Sequence, residues 1–509
     1  MLLALLVAAA SAWVPARWSS TDPQSLELLA GTPVNCLLLE RVSRDFAAAA
    51  AARDIAVLRL VRPGEDPAGA VREAREAGVS GLVLEGAFAE DAVAPFRSAA
   101  RQANWTVVEL PPRARLRWNA DASILGTYEG LWPGIRALEG DAARAAPTGG
   151  PWIETNTGFL RYVRASTDAA VWIAIKPPSG APLSVQRYLH AIADAAIAGA
   201  RWVVSLDPDF DRRLHARDPK ALAAWARIAA HLKFYEDHAE WRQWKPAGRL
   251  ALIQDESSGA LLSGGILDMI AVKHAPVRPV PKARLSAEAL QGARLAVNVD
   301  PSALTDSDKE ILRSFTRGGG TLLSGPPDWK FPPPQEGRIT LEDKDVERLN
   351  DIWREVNSLV GRRNLGARLF NVSGMVSNLL VSPDGKQILL HLANYTDYPA
   401  ENITVHVAAS CSGARLLTPE EPPRPLAPYP IEEGVAVEIE RIATSSALLL
   451  DCKPGLGGNC WDCLQAQLWD LLRSRPPLPW PSHELRATTR DSKMPWRGSS
   501  ISWGASAVW

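Results

Sequence analysis

Residues 55–85 read IAVLRLVRPGEDPAGAVREAREAGVSGLVLE, and this stretch decides the fold. A short apolar run, Ile55–Leu60, is followed by a segment rich in alanine and arginine, Pro67–Ala77, and then by a second apolar run, Gly81–Leu84. Short continuous apolar runs are the mark of strands buried on both faces. Alanine and arginine favour helix. The same unit recurs on either side, with runs at Asn35–Leu39, Thr106–Leu110, Ile124–Tyr128, Trp152–Thr155, Val171–Ile175 and Trp202–Leu206. Helix candidates between them are Arg44–Arg53, Ala89–Gln102 and Val185–Ala198. The connections after Thr106–Leu110 and after Ile124–Tyr128 lack a clear helix and read as longer functional loops. Such units fit a barrel or a doubly wound sheet. The count of eight, and the lack of a glycine-rich phosphate loop after the first run, favour an α/β chain with a (β/α)8 TIM barrel over residues 30–245.

The chain has 509 residues, 46% hydrophobic and 22% charged, which suits several globular domains rather than a disordered chain. A net charge of -1 leaves no basic footprint for nucleic acid. Residues 1–12, MLLALLVAAASA, combine an apolar run with a small-x-small end and read as a cleaved signal peptide. The run is too short to span a bilayer, which takes about 20 apolar residues. A soluble protein, secreted or periplasmic, is expected. Of the five cysteines, Cys36 reads as core, and Cys411 and Cys452 share a β-rich region and can pair in an oxidising compartment. Cys460 and Cys463 form a CxxC without the second half of a zinc site.

From Gly248 the pattern changes. Leu250–Gln254, Arg294–Val299 and Thr321–Leu323 read as strands, with a helix at Asp306–Thr316 ended by Gly318-Gly319-Gly320. This makes a small α/β domain over 248–326. Residues 327–338 are proline-rich, and a helix over Asp343–Val360 leads to alternating strands at Asn378–Val381, Gln387–Ala393, Ile403–Ala408, Val435–Ile439 and Ala447–Leu450. Pro383-Asp384-Gly385 is a hairpin turn between two of them. Residues 343–452 therefore read as a linker helix and an antiparallel β-sandwich. The tail 454–509 is irregular but holds six of the 19 tryptophans, which disordered segments rarely do. It reads either as a frameshifted or read-through end or as an interaction tail.

Barrel, small α/β domain and sandwich, in that order, resemble the trimeric beta-galactosidases and related glycoside hydrolases. The resemblance rests on Ala296–Asp300, on Leu304-Thr305-Asp306 with the helix running to Phe315-Thr316-Arg317-Gly318-Gly319-Gly320-Thr321-Leu322-Leu323, and on Leu389–Pro399 with His391-Leu392-Ala393-Asn394-Tyr395. It implies an amidotransferase-like middle domain without amidotransferase chemistry, a carbohydrate substrate and a homo-oligomer. The sequence departs from that pattern in one respect. Many retaining barrel glycosidases carry an Asn-Glu pair at the end of the fourth strand, whereas the fourth run here ends Val108-Glu109-Leu110-Pro111. The seventh ends Ile175-Lys176-Pro177, without a carboxylate.

Barrel sites lie at the C-terminal ends of the strands, and glycoside hydrolysis takes two carboxyl groups. Candidates after the runs are Glu40, Glu85, Glu109, Glu129, Glu154 and Asp207. The leading choice is Glu154 with one of Glu129, Asp207 or Glu85. Trp132, Trp152 and Trp118 are candidate sugar platforms, and Tyr128 and Asn156 candidate hydroxyl binders. Each has a plainer reading: Glu40 pairing with a nearby arginine, Glu85 or Asp207 capping a helix, the tryptophans packing in the core. No HExxH, GxSxG or cofactor motif is present, so no metal or cofactor is expected. The competing reading is a non-catalytic glycan-binding protein on the same scaffold, and a third is another barrel hydrolase or lyase.

Overall fold

The computed structural model describes residues 10–116, 122–135, 153–178, 183–254, 276–298, 304–324 and 366–452, with isolated positions between 347 and 359. Trp118, Trp152, the proline-rich stretch 327–338, most of the helix expected over 343–360 and the tail with Cys460 and Cys463 lie outside the described residues.

Five parallel strands form one sheet in the order β1 (Pro15–Arg17), β2 (Cys36–Leu39), β3 (Ala56–Val61), β4 (Gly81–Glu85) and β5 (Thr106–Leu110). Two further strands, β7 (Gly134–Ile135) and β8 (Ile153–Glu154), separate β6 (Ile124–Thr127) from β9 (Ala170–Ala174) and β10 (Arg201–Val203) in the chain. The last three form a second parallel sheet in the order β10-β9-β6. A parallel bridge between Ala16 and Val204 joins the two sheets, with Arg17 N–H donating to Val204 O at 2.8 Å. Five and three strands thus follow one another edge to edge, and the round stays open between β5 and β6. There Thr127 Oγ1 donates to Pro111 O at 2.8 Å, but no ladder forms.

Alternate residues of these strands face different cores. Leu38, Leu58, Leu60, Val83, Val108, Leu110, Ile124, Trp172 and Val203 meet in one cluster, the filling of the ring. Leu37, Leu39, Val57, Leu82, Leu84, Ile173 and Trp202 belong to the other, packed against helices. Burial on both faces explains why the runs carry no polar alternation. Helices α1 (Arg44–Ala51), α2 (Pro67–Ala77) and α3 (Glu90–Ala103) follow β2, β3 and β4. α2 shows how the sequence sets its ends: Asp66 caps the backbone N–H groups of Ala68 and Gly69, Pro67 opens the helix, and Gly78 ends it at φ 72°. Farther along lie α4 (Thr157–Ser166), α5 (Val185–Ala196), α6 (Pro208–His215) and α7 (Pro219–Asp237).

Two expectations need correction. The first strand is Pro15–Arg17, ahead of the expected start at residue 30; three residues beside an export-like segment carry too little apolar signal to stand out. The run Trp152–Thr155 is not a strand of the ring. Ile153 and Glu154 pair antiparallel with Ile135 and Gly134 in a two-stranded hairpin, and α4 begins three residues after Glu154. Both changes keep the number at eight but shift the order. The fourth parallel strand is Gly81–Glu85, and it ends on a glutamate.

Beyond α7, strands Leu250–Gln254, Val277–Pro281, Leu295–Asn298 and Thr321–Ser324 form a parallel sheet with Val277–Pro281 at one edge. Its two prolines disguised this strand in the sequence, and only an edge position tolerates them. Helix Asp306–Arg317 carries a capping box between Thr305 and Asp308. Residues 366–452 build antiparallel ladders in a six-stranded and a four-stranded sheet, the former including Lys245–Pro246. Side chains of both sheets share one core, and a Cys411–Cys452 disulfide closes its margin. Cys36 is buried and unpaired.

Two buried histidines make this packing acid-sensitive. Burial pushes His190 down to about 4 and His391 down to about 3. In the unfolded chain both take protons at about pH 6.5. Their neutral burial is therefore free of penalty above that value, and stability drains away as pH falls from it towards the folded values, by about 2 kcal/mol per histidine near pH 5. Urea unfolding at about pH 8 and about pH 5 should show this loss, and His391→Leu should remove roughly half of it.

Candidate functional site

The C-terminal ends of the first four strands carry an alternating row of charges. Arg17 ends β1, Glu40 follows β2, Arg62 follows β3 and Glu85 ends β4. Parallel strands in register bring these ends side by side. Arg62 donates to Glu85 Oε1 and to Glu40 Oε1, each at 2.9 Å. Arg17 forms an ion pair with the other Glu85 oxygen, and its Nε donates to Ser205 Oγ, past β10, at 3.1 Å. Glu85 is 5% exposed and holds this network together, whereas the Glu40 side chain is 70% exposed. The hydrogen bond from Arg62 holds the Glu40 carboxyl below the usual carboxylate range, against a smaller opposing effect of burial.

Tyr128 and Glu129 follow β6. Glu129 Oε2 accepts from the Arg113 backbone N–H at 2.8 Å, and its carbonyl accepts from Arg113 Nε at 2.7 Å. Burial raises the Tyr128 phenol above its ordinary range, and the charges of Glu129 and then Glu85 raise it further, while Arg115 opposes them. Both glutamates therefore act on one phenol, which stays a hydrogen-bond donor at neutral pH. Glu85 and Glu129 are the expected carboxylates whose charges reach a common expected residue, Tyr128.

The others lie elsewhere. Asp207 caps α6, its Oδ1 accepting from the N–H groups of Asp209 and Phe210 at 3.0 Å each while Oδ2 accepts from the Tyr188 hydroxyl. Burial and Asp207 together raise the Tyr188 phenol well above its ordinary range. Glu154 sits half-buried on the hairpin, and its charge, with that of Asp397, reaches Arg187. Gly134, opposite Glu154, lies directly against the Arg187 guanidinium, where a Cβ would come within 1.9 Å of Nη1. Asn156 is fully buried. Its Oδ1 accepts from Leu131 N and Arg113 Nη2, and its Nδ2 donates to Leu131 O at 2.8 Å and to Asp194 Oδ2 at 2.7 Å. Asp194 also accepts from Thr155 and Tyr395, so this network ties the hairpin to α5 and to the sheet that carries Tyr395. Trp132 packs edge-on against Tyr188 and Trp202, on the helix side of the strands. Glu109 faces outward, with Arg97 Nε and Nη2 donating to its two oxygens at 2.7 and 2.9 Å.

Arg17, Arg62 and Arg113 are functional neighbours that no sequence motif marks. Arg62 lies two residues after the run 55–60 and Glu85 directly after the run 81–84, so the two reach the same end of neighbouring strands. No group of three or more histidine, cysteine or acidic residues suited to a metal ion occurs among the described residues.

No protein-family model and no curated protein matches the chain. Solved structures do. The alpha-L-fucosidase isoenzyme 2 from Paenibacillus thiaminolyticus matches with a TM-score of 0.55 at 11% identity, over 86% of this chain and 99% of that one. The beta-galactosidase from Rahnella sp. R3 matches with a TM-score of 0.50 at 10% identity, over 86% and 97%. At such identity the likeness is one of fold alone, shared with these two enzymes.

The network gives unequal weight to its acids. Glu85→Ala, which leaves two arginines without their shared partner, should cost about 2–3 kcal/mol of unfolding free energy. Glu40→Ala, at an exposed pair, should cost less than about 1 kcal/mol. Urea titration of the two variants checks the order.

Proposed function

We propose that the chain is a glycoside hydrolase acting at the C-terminal ends of its eight parallel strands, with Glu85 and Glu129 as the working carboxyl pair. The observation that supports this reading is that Glu85 ends the fourth strand, Glu129 follows the sixth, and the charges of both raise the Tyr128 phenol. In such a reaction one carboxyl group gives a proton to the leaving oxygen, and the other attacks the sugar or activates water. Tyr128 would donate to a sugar oxygen, and Arg17 and Arg62 would fix the orientation of Glu85. The finer likeness to beta-galactosidases of the trimeric type, with its implied oligomer, belongs to the same proposal. So does an extracellular or periplasmic location, which the Cys411–Cys452 disulfide suits.

A second reading, binding without turnover, draws support from the two arginines that occupy Glu85. Purified protein screened against aryl glycosides and polysaccharides separates the two. Under the hydrolase reading, a responsive glycan is turned over, and Glu129→Gln and Glu85→Gln each lower kcat/KM by about 10²–10⁴-fold with the fold intact. Glu154→Gln and Asp207→Asn then retain most activity. Saturable binding with no turnover of any glycan selects the second reading, and loss of activity in Glu154→Gln alone moves the chemistry to the hairpin.

A further inference from the structure

The open seam between β5 and β6 leaves a cavity of about 330 Å³ on the outer, helix-facing side of the strands. The described part of the connection between these strands contributes only the short turn Arg113–Arg115, where a barrel unit would ordinarily lay a helix across the wall. Val93 and Arg97 of α3 line it together with Val107, Leu125, Phe88 and Arg115, and the carboxylates Glu90 and Glu109 lie in the same lining. The volume lies within the range of about 300–1,000 Å³ usual for small-molecule sites. A cavity where the helices meet the six-stranded sheet, near Asn378 and His391, measures only about 90 Å³ and suits a few waters.

The charges in this wall are unevenly matched. Arg97 is engaged by Glu109 through two hydrogen bonds and by Glu90 at 3.2 Å. Arg115 is exposed, touches the Phe88 carbonyl at 3.4 Å, and makes no ion pair with any carboxylate among the described residues. An apolar lining of Leu84, Val93, Val107 and Leu125, beside a guanidinium without an ion pair among the described residues, suits an apolar ring with a single negative charge. We infer that the seam binds a small aromatic carboxylate, its ring on Val107 and Leu125 and its carboxylate on Arg115. This site lies outside the ring of strands and does not depend on the roles proposed for Glu85 and Glu129.

Cinnamate, with cinnamyl alcohol as its neutral counterpart, serves as the probe in a calorimetric or ligand-observed NMR titration of the full chain. Cinnamate should bind more tightly than the alcohol. Val107→Trp, which fills the cavity, should abolish binding of both. Arg115→Gln, an exposed change that leaves folding intact, should weaken cinnamate about tenfold, to the level of the alcohol. No binding of either probe at millimolar concentration overturns the inference, as it would if the chain itself occupied the seam. Cinnamate binding that is unchanged in Arg115→Gln, or that survives in a folded Val107→Trp, overturns it as well.

Discussion

The ion pair between Arg17 and Glu85 reaches from the first parallel strand to the fourth, and the rest of the ring depends on it. A strand of three residues has little ladder to hold it. β1 is kept in place by β2 on one side, by the bridge to Val204 on the other, and by Arg17 across its end. Through Arg17 and Ser205 the same side chain touches the last strand, so a single guanidinium links the beginning, the middle and the close of the round. Its partner Glu85 is almost fully buried, and a charge in that position is tolerated only because two arginines face it.

This constraint also organises the site. Apolar side chains from the two sheets fill the ring, with Trp172 as the largest, so nothing passes through it and any chemistry belongs at the strand ends. There the acids are not isolated groups. Glu85 is shared by two arginines, Glu129 is held by the Arg113 backbone, and Tyr128 responds to both. By contrast Asp207 and Asn156 spend their polar atoms on holding elements together. The wall between β5 and β6 is looser: no ladder joins these strands, and no helix crosses the seam among the described residues.

Much of this architecture was legible in residues 55–85. Strands buried on both faces leave runs such as Gly81–Leu84, and capped alanine-rich helices leave segments such as Pro67–Ala77, so the repeating unit showed plainly. Short strands did not show. Pro15–Arg17 has three residues and one charge, and Ile153–Glu154 looked like a barrel strand because periodicity cannot tell two residues of a hairpin from the end of a buried run. One strand gained and one lost shifted the order, so that Glu85, a candidate from the sequence, ends the fourth strand rather than the third. The disulfide was readable as a possible pair, because two cysteines in one β-rich region are natural partners. The arginines around Glu85 were not read, since their role comes from strand register rather than from any local motif.

In the proposed site, Glu85 and Glu129 bracket the place where a sugar is held. An experimental structure of the protein soaked with a glycan that it binds or turns over tests this most directly. The proposed site places a sugar ring at the strand ends, with its oxygens within hydrogen-bond reach of Glu85, Tyr128 and Glu129. A sugar found instead on the hairpin beside Glu154 and Arg187, or away from the strand ends altogether, would contradict it.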